Sequence, residues 1–168
     1  MGALILDSFL TQDSFIKLRE ILDNKKELLY GILILTEKIS KGIEDEDVEK
    51  INSYIGEKQE LIDQINILDK EYRTCFGNIK PVQVIEGFNK LQQVSNQEIQ
   101  NLCQSIKQIT ELLKKIESIE KINSINAQSL LNKFSEEIKT INKAKKASLA
   151  YNAPVQAASP SYFFDQKR

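Results

Sequence analysis

The stretch "EDVEKINSYIGEKQELIDQINILDKEYRTCF", residues 46–76, decides how the rest of the chain is read. Val48, Ile51, Ile55, Ile62, Ile65, Tyr72 and Phe76 recur at three-four spacing, interrupted by Lys58 and Asp69, while Leu61 and Leu68 widen the stripe. A sustained apolar stripe of that period lies on one face of an α-helix and predicts a left-handed coiled-coil seam against neighbouring helices. The run "EDED" at 44–47 just before it reads as a helix start rather than an acidic site: Asp45 or Asp47 caps the helix, and carboxylates favour its positive end.

Working outward toward the N-terminus, a first helix is expected over about residues 13–40, with Phe15, Leu18, Leu22, Leu29, Ile32 and Ile39 on its stripe. The denser patch "LLYGILIL" (28–35) predicts burial on more than one face. Gly42 is expected to end this helix in the left-handed conformation, with Lys38 and Lys41 near the negative end of the dipole. The short connection that follows makes helices 13–40 and 46–76 an antiparallel hairpin.

Toward the C-terminus, "CFGNIKP" (75–81) breaks the chain at Gly77 and Asn78, and Pro81 opens a short helix over 81–93. Ser95 and Glu98 form a capping-box pair at the head of a long helix over 96–148. Ile99, Leu102, Ile106, Ile109, Leu113 and Ile116 keep the seam there. Ile119, Ile122 and Ile125 then step by three, which predicts a change of packing partner or local overwinding near 117–127. The long helix would reach roughly 78 Å and the second helix only roughly 46 Å, so about 30 Å of it outruns the hairpin unless the short helix covers the excess. The fold class expected is all-α: an antiparallel helical hairpin plus one short and one long helix forming an elongated three-stranded coiled-coil bundle over residues 1–148, with a flexible aromatic-containing tail over 149–168.

Composition removes whole classes of function. The chain of 168 residues is one domain's worth, with net charge −1 and no histidine, so the commonest general base and metal ligand is missing. There is no glycine-rich phosphate loop, CxxC, histidine-based triad or HExxH, and paired carboxylates such as Glu57/Glu60 and Glu136/Glu137 sit on solvated helix faces. Catalytic residues, metal ligands and cofactors are expected to number none. Cys75 and Cys103 are too far apart for a zinc or redox pair and read as reduced core residues. The opening "MGALILDSFL" lacks the basic flank of a signal peptide and is too short to span a bilayer, and no Ser or Thr stands at residue 6 to suit myristoylation.

What remains is binding. Leu130, Leu131, Phe134, Ile138 and Ile141 lie on the surplus of the long helix and need a partner, each side chain contributing about 1.5–3 kcal/mol on burial. Beyond Leu149 the composition turns to "SLAYNAPVQAASP" (148–160), where Pro154 and Pro160 exclude helix, and the chain ends "SYFFDQKR" (161–168). Residues 132–168 carry seven basic groups against three acidic ones, a local +4 that leaves −5 for residues 1–131. Lysines at a helix C-terminus complement the dipole. The patch is poor in arginine and not interleaved with aromatics, which argues against nucleic acid.

These residues carry a resemblance. The hairpin segment with Glu57, Lys58, Gln59, Leu61, Ile62, Ile65, Leu68 and Asp69, the long helix, and a tail with Tyr151, Asn152, Phe163, Phe164, Asp165 and Lys167 together resemble the FlgN family of flagellar type III export chaperones. Relatives tend to carry a glycine shortly after the Tyr-Asn pair, where this chain has Pro154 and Val155. The resemblance implies a cytoplasmic protein that binds the hook-associated (hook–filament junction) proteins, keeps them from assembling early and delivers them to the cytoplasmic domain of the export gate. By position Tyr151 would dock on the gate. The partner-binding residues expected are Leu130, Leu131, Phe134, Ile138, Ile141, Leu149, Tyr151 and Asn152, with Tyr162, Phe163 and Phe164 as a second anchor or as a plug folded back on the stripe. No nucleic acid and no membrane insertion are expected, and the chaperone reading favours a monomer. The competing class is a structural homodimeric coiled-coil assembly factor or spacer, whose surplus stripe pairs with itself.

Overall fold

The computed structural model describes residues 10–91 and 94–151, and these form four helices: α1 (Gln12–Glu44), α2 (Val48–Phe76), α3 (Pro81–Leu91) and α4 (Asn96–Tyr151). No strand occurs among the described residues, as the unbroken helical periodicity predicts. The chain divides into two compact units, Met1–Gln128 and Ser129–Arg168, and α4 contributes to both.

Local chemistry sets the helix starts. Thr11 caps α1 reciprocally: the Ser14 N–H donates to Thr11 Oγ1 at 3.2 Å, and the Thr11 N–H donates to Ser14 Oγ at 2.8 Å. Asp47 caps α2, accepting from the Lys50 N–H at 3.1 Å, and the Lys50 side chain beside it holds the carboxyl below its ordinary value. The expected capping box of α4 is present, with the Glu98 N–H donating to Ser95 Oγ at 3.3 Å and the Ser95 N–H donating back to Glu98 Oε2 at 3.3 Å.

The end of α1 differs from the sequence expectation. The helix runs past Gly42 to Glu44, and Glu46 is the residue with positive φ, at 56°. Backbone N–H groups of Glu46 and Asp47 donate to the carbonyls of Ile43 at 3.2 Å and Gly42 at 2.9 Å, which is the Schellman pattern with a glutamate in the place glycine usually takes. Gly42 is spent on proximity instead: a Cβ there would sit 2.8 Å from Ile51 Cγ1, and one at Gly31 would sit 2.8 Å from Leu61 Cδ1. The two glycines are the close-approach points of the α1/α2 hairpin. Gly77, by contrast, ends α2 with φ 64° as its position predicts.

The core of the first unit is drawn from α1, α3 and α4. Phe15, Leu18 and Leu22 of α1, Val84, Ile85 and Phe88 of α3, and Ile99, Leu102, Ile109, Leu112 and Ile116 of α4 are buried in one cluster. Phe15 and Phe88 meet edge to face, with ring centroids 5.2 Å apart and planes at 86°. The short helix therefore uses its apolar face in this core. Helix α2 sits more peripherally than its regular seam predicts: Phe76 is its buried residue, Leu61, Ile62, Ile65 and Tyr72 are partly buried, and Val48 and Ile55 are exposed. Lys58 and Asp69, which break that seam, are where ion pairs cross it: Lys58 pairs with Glu120 of α4, and Lys25 of α1 donates to Asp69 at 2.5 Å. Cys75 is half-buried and Cys103 is exposed, so the expectation that both are core residues fails for Cys103. It falls beside Leu102, one position off the stripe, where a helix turns its side chain about 100° away.

The expected rotation of the stripe near 117–127 also resolves differently. Ile116, Ile119, Asn123 and Ala127 keep three-four spacing and are buried or half-buried, while Ile122 and Ile125 are exposed. The seam stays in register by passing through a polar residue. Asn123 Nδ2 donates to the Thr36 carbonyl at 3.1 Å, and its Oδ1 accepts from Ser40 Oγ at 2.7 Å. Thr36, fully buried, satisfies its own hydroxyl on the Ile32 carbonyl at 2.7 Å. A buried asparagine satisfied on both sides of its amide fixes one register between two helices, because a slip strands its polar atoms in apolar surroundings.

Candidate functional site

The second unit is described over residues 129–151, the last turns of α4. Helix formers such as Glu136, Glu137, Lys139, Lys143 and Ala144 fill its polar side, with Lys139 paired to Glu136 at 2.7 Å. Its apolar residues are not scattered. At 3.6 residues per turn Leu130, Leu131, Phe134, Ile138, Ile141 and Leu149 fall within an arc of about 100°, the width of a stripe made for packing. Lys145 lies on the same arc, a basic group within the stripe that the apolar pattern alone passes over.

Exposure is what sets this stripe apart. Leu131 is 61%, Ile138 59%, Ile141 65% and Leu149 65% exposed, and Leu130 and Phe134 are half-buried. Tyr151 is 92% exposed and lies about 110° around the helix from the centre of the stripe. The sequence-predicted residues thus separate into an apolar face of six and a lone tyrosine on another face. Asn152, Tyr162, Phe163 and Phe164, the remaining predicted contacts, lie outside the described residues. What the arrangement offers chemically is burial: a stripe with Lys145 within it, Glu137 near one edge, and Lys133 and Lys146 about 110° to either side of its centre fits an apolar helix face or groove of mixed charge.

The first unit holds a groove that the sequence reading missed. On the outer side of the α1/α2 hairpin a cavity of about 560 Å³ is lined by Asn24, Glu27, Leu28, Gly31, Leu61, Gln64, Ile67 and Leu68. The signal was present in "LLYGILIL": Leu29, Ile32, Leu33 and Leu35 are buried, and Tyr30 and Ile34, too many for one stripe, are left in solvent. A smaller cavity of about 310 Å³ between α1, α2 and α4 is lined in part by the Lys25/Asp69 and Lys58/Glu120 pairs. Among the described residues no group of three or more His, Cys, Asp or Glu is arranged to hold a metal ion. No described helix is long and apolar enough to cross a membrane.

A family model described as FlgN protein matches residues 14–159, most of the chain and all four helices but for the first two residues of α1. No curated protein and no solved structure shows a significant match.

Proposed function

We propose a function from one premise: the chain belongs to the FlgN family, the family of flagellar export chaperones. On this reading the protein acts in the cytoplasm, binds the hook-associated proteins through the apolar stripe of α4, prevents their early assembly and delivers them to the cytoplasmic domain of the type III export gate. The observation that carries the proposal is the exposure of Leu131, Ile138, Ile141 and Leu149 on one face. Covering even these four side chains yields about 1.5–3 kcal/mol each, ample against the ordering of an incoming helix. A client helix whose own apolar stripe drives filament assembly is satisfied by the same contact, which is how occupancy would delay assembly.

Tyr151 supplies the division of labour. Standing on another face at the end of α4, it stays accessible while the stripe is covered, as a gate-docking residue must. Titration of the full chain against a hook-associated protein by calorimetry tests the reading. Ile138→Asp with Ile141→Asp is expected to weaken binding by at least about 100-fold, since two charges would enter the apolar contact. Tyr151→Ala is expected to leave that affinity within about threefold while weakening capture of the loaded chaperone by the gate domain. Unchanged client affinity in the double variant would overturn the proposal.

A further inference from the structure

The outer face of α1 carries a second seam that no function above uses. Glu27, Tyr30, Ile34, Lys38 and Lys41 are all exposed, with Tyr30 at 48% and Ile34 at 53%. Their spacing is three, four, four, three, centred on Ile34, so they form one row along the helix. Beside this row lies the groove formed by Leu28, Gly31, Leu61, Ile67 and Leu68, and farther along a second, of about 160 Å³, is lined by Lys38, Lys41, Gly42, Asp45, Lys50 and Tyr54. The face is apolar at its middle, acidic toward one end and basic toward the other.

We infer that this face is an isologous docking surface for a second copy of the chain, with α1 packing antiparallel on the partner's α1 about a two-fold axis at Ile34. Under that symmetry each position at a given distance before Ile34 meets the position the same distance after it on the other copy. Glu27 then faces the partner's Lys41, Tyr30 faces the partner's Lys38, and Ile34 meets the partner's Ile34. Each pair off the axis is made twice. The order of charges is what selects a second copy over an unrelated protein: a foreign helix has no need of a surface whose two halves complement each other.

Pairing already present in one chain agrees with this. Lys41 holds Asp45 at 3.6 Å with both side chains at least half exposed, a weak contact that is easily exchanged. Lys38 lies 5.3 Å from the Tyr54 ring, so its ammonium is held on the same face, where the ring of the partner's Tyr30 arrives. The Glu27 side chain takes part in no hydrogen bond or ion pair among the described residues. The seam stops where the charges cease to match: the next positions out bring Asp23 toward the partner's Asp45. Dimerisation here buries Tyr30, Ile34 and the groove residues, turning each hairpin into half of a four-helix arrangement.

The test is analytical ultracentrifugation of the full chain over a concentration series. At low salt the chain is expected to form a reversible dimer, with the dissociation constant rising roughly tenfold on going to about 0.5 M salt. Glu27→Lys places two lysines opposite each other and is expected to raise the constant about tenfold, and Lys41→Glu to do the same by placing two acids opposite each other. The double variant, Glu27→Lys with Lys41→Glu, restores both pairs in reverse and is expected to return within about threefold of the starting value. All of these residues are exposed, so the fold is not at stake, and none belongs to the α4 stripe, so client binding reads separately. A monomer at about 100 µM in low salt would overturn the inference. So would a dimer indifferent to both single charge reversals, or a double variant no tighter than either single one.

Discussion

Two parts of one helix follow opposite rules. From Ile99 to Asn123, α4 gives its stripe to a core shared with α1 and α3, and buried or half-buried positions recur at three-four spacing. From Leu130 to Leu149 the same helix keeps its apolar spacing but leaves four of the six stripe residues mostly in solvent. The periodicity is alike, so periodicity states only that a face is made for packing. What distinguishes the two is whether the described residues supply the partner. Where α1 and α3 provide Phe15, Leu18, Val84 and Phe88, the stripe is structural; where the stripe stands exposed, the proposal places recognition.

Substitutions that separate stability from binding can break this contrast. The largest effect is expected from Phe88→Ala, which empties a fully buried ring site against Phe15 and should cost about 3–5 kcal/mol in urea unfolding. A loss below about 1 kcal/mol would mean that the α1/α3/α4 core is not what holds the first unit together. Asn123→Ala comes next, at about 1–2 kcal/mol, because Ser40 Oγ loses an acceptor and the amide's bond to the Thr36 carbonyl disappears.

Tyr72 gives a smaller effect with a pH signature. Burial pushes its phenol up to about 12, and the hydroxyl donates to the Ile79 carbonyl at 2.6 Å. A group whose folded-state value is raised contributes stability that is fully present below its unfolded value and is lost as pH climbs through the folded one. The loss should therefore fall between about pH 10 and 12. Tyr72→Phe is expected to remove that part of the slope and to cost about 1 kcal/mol at neutral pH, read from thermal melts across the alkaline range. Smallest of all, Ile141→Ser should change stability by less than about 0.5 kcal/mol while weakening client binding severalfold. A stability loss matching that of a core truncation would erase the distinction between the two parts of α4.

Much of this was legible in the residues themselves. The Ser95/Glu98 capping box, Asp47 as a cap, the break at Gly77 and the start of α3 at Pro81 are local, and short-range hydrogen-bond chemistry decides them. The apolar face of Leu130, Phe134, Ile138 and Ile141 follows from spacing alone. Tertiary facts were harder to read. Gly42 looked like a helix terminator, and its use as a contact with Ile51 depends on where α2 lies. Asn123 does not register in a search for apolar residues, although the spacing of its neighbours marks its position; its role needs Thr36 and Ser40 brought alongside. The regular stripe of α2 overstated its burial, because a period reports a face and not how deeply neighbours cover it.

Hydrogen exchange of the full chain with and without a hook-associated protein tests the central claim most directly. The account predicts new protection over residues 129–151 on client binding, with the core positions of α1 and α3 unchanged. Protection confined to residues 10–128, with 129–151 exchanging as before, would contradict it.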